Sequence, residues 1–174
     1  FKQKTAYEIR LSLVGSKMCI RDRYKALGCR VLGVDLYPTE NELYEKIYPL
    51  SVLPSVLSIS DAVILTLPLT DETRGLFDGE MLSHMKNTAV LINISRGAVV
   101  DEDAITAALS EKKLYGAVLD VFESEPLSQD SPLWDMENVV ITPHNSFVSE
   151  KNSERLFSVI YGNLSGFLKG DKAE

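Results

Sequence analysis

The sequence predicts an α/β protein built on a doubly wound parallel sheet, and three observations predict it. Apolar runs of strand length recur from Arg30 onward, helix-like segments separate them, and the runs are continuous rather than alternating. A strand buried on both faces needs a continuous apolar run, whereas a strand with one wet face alternates. Strand–helix–strand order with short links then implies parallel strands covered from both sides.

The elements follow in order. From Tyr24 the chain reads as the end of a helix, through "KALG", into the strand "RVLGVDL", in which Asp35 closes the apolar run. "TENELYEKI" reads as a helix, "AVILTLP" as a strand, "DGEMLSHM" as a short helix and "AVLINIS" as a strand. "DEDAITAALSEKK" predicts a helix with Asp101 as its cap, acidic residues in the first turn and lysines at the end that suit the helix dipole. "YGAVLDVF" and "NVVITP" supply the last two strands. In "SEKNSERLFSVIYGNLSGFLKG", Leu156, Ile160, Leu164 and Phe167 recur at helical spacing, which predicts one long amphipathic helix.

Composition narrows the function. A chain of 174 residues, 45% of them hydrophobic, buries a sizeable core. A net charge of −7 with no basic run argues against nucleic-acid and anionic-membrane partners and points to a small molecule. The two cysteines, Cys19 and Cys29, have neither disulfide-framework nor zinc-type spacing, which fits a reducing cytoplasm. The apolar stretch Leu11–Val14 is too short to span a bilayer, and no targeting signal is read.

The beginning of the chain does not fit the scheme. A helix, a strand and a closing carboxylate normally follow a glycine-rich loop of the form GxGxxG, yet Ser16, Lys17, Met18 and Cys19 stand where that loop belongs. Residues 1–23, "FKQKTAYEIRLSLVGSKMCIRDR", closely resemble the peptide obtained when a sequencing-library adapter is translated as coding sequence. They are therefore expected to be a non-native segment, with the sheet truncated at its first strand and phosphate loop. The alternative is a divergent first strand, "EIRLSLVG", in which Ile9, Leu11 and Leu13 alternate with polar neighbours and could pair onto the sheet.

Three ionisable residues fall just past predicted strand ends: Arg96 in "NISRG", Glu125 in "DVFESEP" and His144 in "TPHNS". That is the edge where open parallel sheets build their sites. A guanidinium for a carboxylate, an imidazole for a proton and a carboxylate to orient the imidazole suffice for hydride transfer on a hydroxy or keto acid. With "LPLTDETRGLF", "LINISRGAVVDEDAI", "GAVLDVFESEPL" and "NVVITPHNS" in sequence, residues 24–174 resemble the NAD-binding domain of the D-isomer-specific 2-hydroxyacid dehydrogenases. The resemblance implies a Rossmann-like fold and an NAD-dependent enzyme interconverting a D-2-hydroxy acid and its 2-keto acid. It also implies that the amino-terminal part is missing and that the chain as written is inactive.

The resemblance further implies that Arg96 holds the substrate carboxylate, that His144 is the general acid–base and that Glu125, which precedes Pro126, pairs with it. A carboxylate beside an imidazole favours the imidazolium, so His144 would donate a proton during reduction without help from a metal. Asp35 would bind the adenosine ribose and disfavour NADP, Leu67 and Pro68 would border the adenosine, and Ile94, Ser95 and Arg96 would pass the nicotinamide ribose. Asp120 would lie near the nicotinamide amide, and His144 would also touch the cofactor. Glu123 is read as a solvated acid, His84 as carrying no chemistry and Trp134 as a packing anchor. A corepressor-like NAD-sensing interaction module and an inactive gene-model fragment are the alternative functions, and a homodimer stays open for the intact protein.

Overall fold

Val31, Leu32 and Val34 in the first predicted run and Val63, Ile64 and Leu65 in the second are all buried, as strands between two covered faces must be. In the computed structural model of the chain, residues 10–14, 18–38, 42–146, 148 and 150–169 are described, the side chains of 10–14, 18–19 and 169 excepted. The expectations for Gly15–Lys17 lie outside the described residues. The chain divides into two units, residues 1–144 and 145–174.

In the first unit the order is β1 (Arg10–Val14), α1 (Met18–Ala26), β2 (Arg30–Asp35), β3 (Lys46–Pro49), α2 (Leu53–Leu57), β4 (Ala62–Leu65), α3 (Gly79–Ser83), β5 (Val90–Asn93), α4 (Glu102–Ser110), β6 (Gly116–Leu119) and β7 (Val139–Ile141). The seven strands form one sheet in the order β3-β2-β1-β4-β5-β6-β7. Every pairing is parallel. The order reverses direction between β1 and β4, which is where open α/β sheets form their ligand crevice.

Residues alternate between two cores along the strands. Leu32, Val34, Val63 and Leu65 join a large cluster with Leu57, Phe77, Leu91, Ile105, Leu109 and Leu133. Val31 and Ile64 point the other way, into a smaller cluster with Tyr44 and the partly buried Ile20, Tyr24 and Ile92. Both faces are thus covered, as the continuous apolar runs require. The register aligns the strand ends, pairing Leu65 with Asn93, Asn93 with Leu119 and Leu119 with Ile141. Whatever follows those residues emerges at one edge.

One sequence expectation is met at the start of the sheet and three are corrected. The pairing expected of "EIRLSLVG" is found: Arg10–Val14 takes the first-strand position and pairs with both β2 and β4. The part of "TENELYEKI" that is described, residues 42–47, is not a helix: residues 42–45 are turn and bend, and Lys46 starts β3 at the sheet edge. Tertiary packing decides this, because Tyr44 is buried against β2 and a Cβ on Gly33 would come within 3.0 Å of its ring. Asp101 does cap α4, accepting from the Ala104 N–H at 2.9 Å, but Lys112 and Lys113 lie beyond the helix, Lys112 with a positive φ of 57°. Trp134 is about half exposed and is tied by its indole N–H to the Ser128 carbonyl, while neighbouring Leu133 is the buried anchor.

The second unit contains α5 (Asn152–Lys169), with Leu156, Ile160, Leu164 and Phe167 all exposed. Among the described residues no helix is long and apolar enough to cross a membrane. Phe77 is fully buried and ties its backbone to Val99 and Asp101. Phe77→Ala is expected to cost about 3–5 kcal/mol, read from urea unfolding followed by circular dichroism. A loss below about 1 kcal/mol would place the centre of the core elsewhere.

Candidate active site

Three neighbouring strand ends carry the candidate residues, and backbone bonds lock those ends together. The Asp120 N–H donates to the Asn93 carbonyl at 3.0 Å, and the Thr142 N–H donates to the Leu119 carbonyl at 3.0 Å. The turns after β5, β6 and β7 therefore start from fixed positions.

After β5, the buried Asn93 side chain organises the turn that bears Arg96. Its Oδ1 accepts from the Ser95 N–H at 3.1 Å and the Ser95 hydroxyl at 2.8 Å, while its Nδ2 donates to the Arg96 carbonyl at 3.1 Å. Every polar atom of the amide is used locally, so the turn has little freedom. Ser95 is buried and Ile94 packs against the smaller core, whereas Arg96 is exposed, its Nη1 donating to the Ser95 carbonyl at 2.6 Å. A Cβ at Gly97 would lie 1.9 Å from the Phe122 carbonyl, so the Arg96 turn and the turn after β6 touch backbone to backbone.

After β6, Glu125 folds back on its own turn. Its Oε1 accepts from the Phe122 N–H at 3.1 Å, and its Oε2 lies 2.7 Å from His144 Nδ1. A carboxylate only accepts, so Nδ1 carries the proton in this pair. The accepted bond from His144 holds the Glu125 carboxyl below the usual carboxylate range, against partial desolvation, with the Phe122 N–H adding to the effect. Glu123 is exposed and makes no such contact, its backbone N–H meeting Glu102 instead.

After β7, the His144 N–H donates to the Asp120 carbonyl at 2.9 Å and the Thr142 carbonyl at 3.1 Å, and His144 has a φ of 50°. The Thr142 hydroxyl donates to Oδ1 of Asp120, which is 1% exposed. A cavity of about 430 Å³ opens beside the pair, lined chiefly by Phe122, Leu127, Trp134 and Ile141.

The remaining candidates flank β1. Asp35, half-buried at the end of β2, accepts from the Tyr37 N–H at 3.0 Å and so shapes its own turn. Leu67 and Pro68 follow β4, where the Pro68 carbonyl accepts from the Thr73 hydroxyl at 2.7 Å. His84 is exposed at the end of α3. The sequence reading missed Asn93, Gly97 and Thr142. The only sequence signal for them is a polar residue or glycine at the end of an apolar run.

The fold and these turns coincide with a known family. Residues 11–146 match the model of the D-isomer specific 2-hydroxyacid dehydrogenase, NAD binding domain, and the chain belongs to that family. It is 39% identical over 158 residues to (S)-sulfolactate dehydrogenase of Chromohalobacter salexigens, covering 88% of this chain and 51% of that protein. It is 41% identical over 151 residues to glyoxylate reductase of Korarchaeum cryptofilum, covering 86% and 45%. The chain thus spans about half the length of these relatives. Among solved structures, a 2-hydroxyacid dehydrogenase family protein from Aeromonas salmonicida superposes with a TM-score of 0.90 at 33% identity, over 100% of this chain and 56% of that one. A probable 2-hydroxyacid dehydrogenase from Rhizobium etli, in complex with NADP, HEPES and tartaric acid, gives 0.88 at 34% identity, over 100% and 56%.

The Glu125–His144 pair has a pH consequence. A depressed carboxyl pKa stabilises the fold above the unfolded glutamate value of about 4.3, and that contribution is lost as pH falls through the lower folded value. Carboxyl-carbon NMR should show Glu125 titrating below about 4.3, and His144→Ala should raise that midpoint. A midpoint indifferent to His144→Ala would mean that the pair does not form in solution.

Proposed function

We propose that the intact protein interconverts a D-2-hydroxy acid and its 2-keto acid with a nicotinamide dinucleotide. The observation that carries the reading is the 2.7 Å bond between Glu125 and His144 on the same sheet edge as the exposed Arg96. Arg96 would pair its planar guanidinium with the substrate carboxylate and polarise the neighbouring carbonyl. Glu125 holds the Nδ1 proton, so the proton delivered to the carbonyl oxygen comes from Nε2 of the imidazolium. The dinucleotide, when bound, would supply a hydride for the carbonyl carbon in reduction and, in its oxidised form, take one up in oxidation. In oxidation, neutral His144 would accept the hydroxyl proton.

The residues present fit the two ends of a dinucleotide and not its middle. Asp35 ends β2, and Leu67 and Pro68 follow β4, the two strands that flank β1, as an adenosine site requires. Ile94, Ser95, Arg96, Asp120 and His144 stand at the opposite side, as a nicotinamide site requires. Between Val14 and Leu27 the only glycine is Gly15, so nothing supplies the glycine-lined turn that brings successive amides to a pyrophosphate. We therefore read residues 1–23 as foreign and residues 24–174 as the native domain fragment, and expect the chain as written to bind the dinucleotide poorly. NAD is preferred over NADP, because Asp35 is a carboxylate where a 2′-phosphate would sit and no arginine follows it in "LYPTE". A reducing cytoplasm suits the free Cys29.

The test is a chimera in which residues 24–174 replace the matching region of the Korarchaeum glyoxylate reductase, assayed for NADH-dependent reduction of glyoxylate. His144→Ala should lower kcat by about 10²–10⁴-fold while the KM for NADH stays within about threefold. An inactive chimera, or equal losses in kcat and cofactor affinity, would refute the assignment. In the same chimera Asp35→Ser should improve NADPH use relative to NADH by about tenfold or more. Equal use of both before the change would remove Asp35 from cofactor selection.

A further inference from the structure

His144 holds its imidazole from an unusual backbone position. Its φ of 50° places it in the left-handed region, which costs a residue with a Cβ free energy and is uncommon even for histidine. Two groups hold it there directly, the carbonyls of Asp120 and Thr142, which share the His144 N–H at 2.9 Å and 3.1 Å.

Both are tied to one buried contact. Thr142 anchors its N–H on the Leu119 carbonyl and its hydroxyl on Asp120 Oδ1, a carboxylate 22 residues away whose residue is 1% exposed. Asp120 is itself fixed by its N–H on the Asn93 carbonyl. The turn from Thr142 to His144 is therefore fastened to Asp120 twice, through the Thr142 hydroxyl and through the His144 N–H. A hydroxyl bonded to a side chain that is 1% exposed is shielded from water, and its removal takes a hydrogen bond out of a dry environment.

We infer that Thr142, through its hydroxyl on Asp120, is a positioning residue that sets the aim of the His144 imidazole at Glu125. Without the hydroxyl, one of the two fastenings is gone and the left-handed turn relaxes. The ring then swings off Glu125, and the proton donor loses both its charge partner and its direction. The inference rests on the reading of His144 as the proton donor and names a residue on which that donor depends.

The test uses the 174-residue chain itself, which contains only two histidines. Proton–nitrogen NMR of the imidazoles reports the Glu125-bound Nδ1 proton of His144 as a downfield resonance, with His84 as internal reference. The parent and Thr142→Ser should show it, since serine keeps the hydroxyl. Thr142→Val, of the same shape without the donor, should lose it while the backbone amide spectrum of the sheet persists. A downfield proton unchanged in Thr142→Val, one lost in Thr142→Ser, or none in the parent overturns the inference. Should valine disturb the sheet spectrum, Thr142→Ala is read by the same criterion.

The two readings fail separately. A chimera without turnover whose His144 proton still depends on the Thr142 hydroxyl refutes the dehydrogenase reading and leaves the positioning role standing. An active chimera with a His144 proton indifferent to Thr142 refutes the positioning role alone.

Discussion

The parallel register at the ends of β4, β5, β6 and β7 is the constraint on which the candidate site depends. Leu65, Asn93, Leu119 and Ile141 stand in line across the sheet, so each following turn begins at the same height. Two cross-strand bonds continue the ladder past the strands, from Asp120 to Asn93 and from Thr142 to Leu119. The catalytic candidates are thus placed by backbone pairing first and by side-chain chemistry second. A shift of one residue in any of the three pairings would move its turn by about 3.3 Å, more than a hydrogen bond tolerates.

On this frame the polar contacts divide into two tasks. Asn93 spends its whole amide on the Arg96 turn, and Asp120 serves the His144 turn through its side chain and its carbonyl. Gly97 joins the two tasks, because only a residue without a Cβ lets the Arg96 turn rest on the Phe122 backbone. Phe122 in turn donates its N–H to Glu125. Arg96 and Glu125 thus share a support, although they come from different strands and make opposite charges. The exposed tips can then meet a ligand while the groups that aim them stay dry.

Much of this was legible in the sequence, for identifiable reasons. Strands buried on both faces leave continuous apolar runs, so β2, β4, β5, β6 and β7 could be read directly. Arg96, Glu125 and His144 stood out because an ionisable residue at the end of such a run is conspicuous. β3 was not legible, since its short edge strand follows an acidic stretch of helical composition and is fixed by Tyr44 packing onto Gly33. The roles of Asn93 and Thr142 were hidden for a different reason. A polar residue ending a strand looks like punctuation, and the partner that gives Thr142 its meaning lies 22 residues earlier. Neither spacing nor composition announces the left-handed φ of His144, which arises from bonds made across strands.

The same division separates what a strand pairing asks of a sequence from what a pyrophosphate-binding turn asks. The turns after β4 to β7 are specified by residues within residues 62–144, and each turn carries its own supporting contacts there. A pyrophosphate turn has no such local redundancy, because its chemistry is the absence of side chains at particular backbone positions. Side chains such as those of Ser16, Lys17 and Met18 are what a turn of that kind excludes. Strand pairing is more permissive: it asks of Arg10–Val14 only an extended backbone in register, and the sheet accepts them between β2 and β4. Occupying the first-strand position and building a phosphate site are therefore separate requirements, and Arg10–Val14 meet the first through their pairing alone.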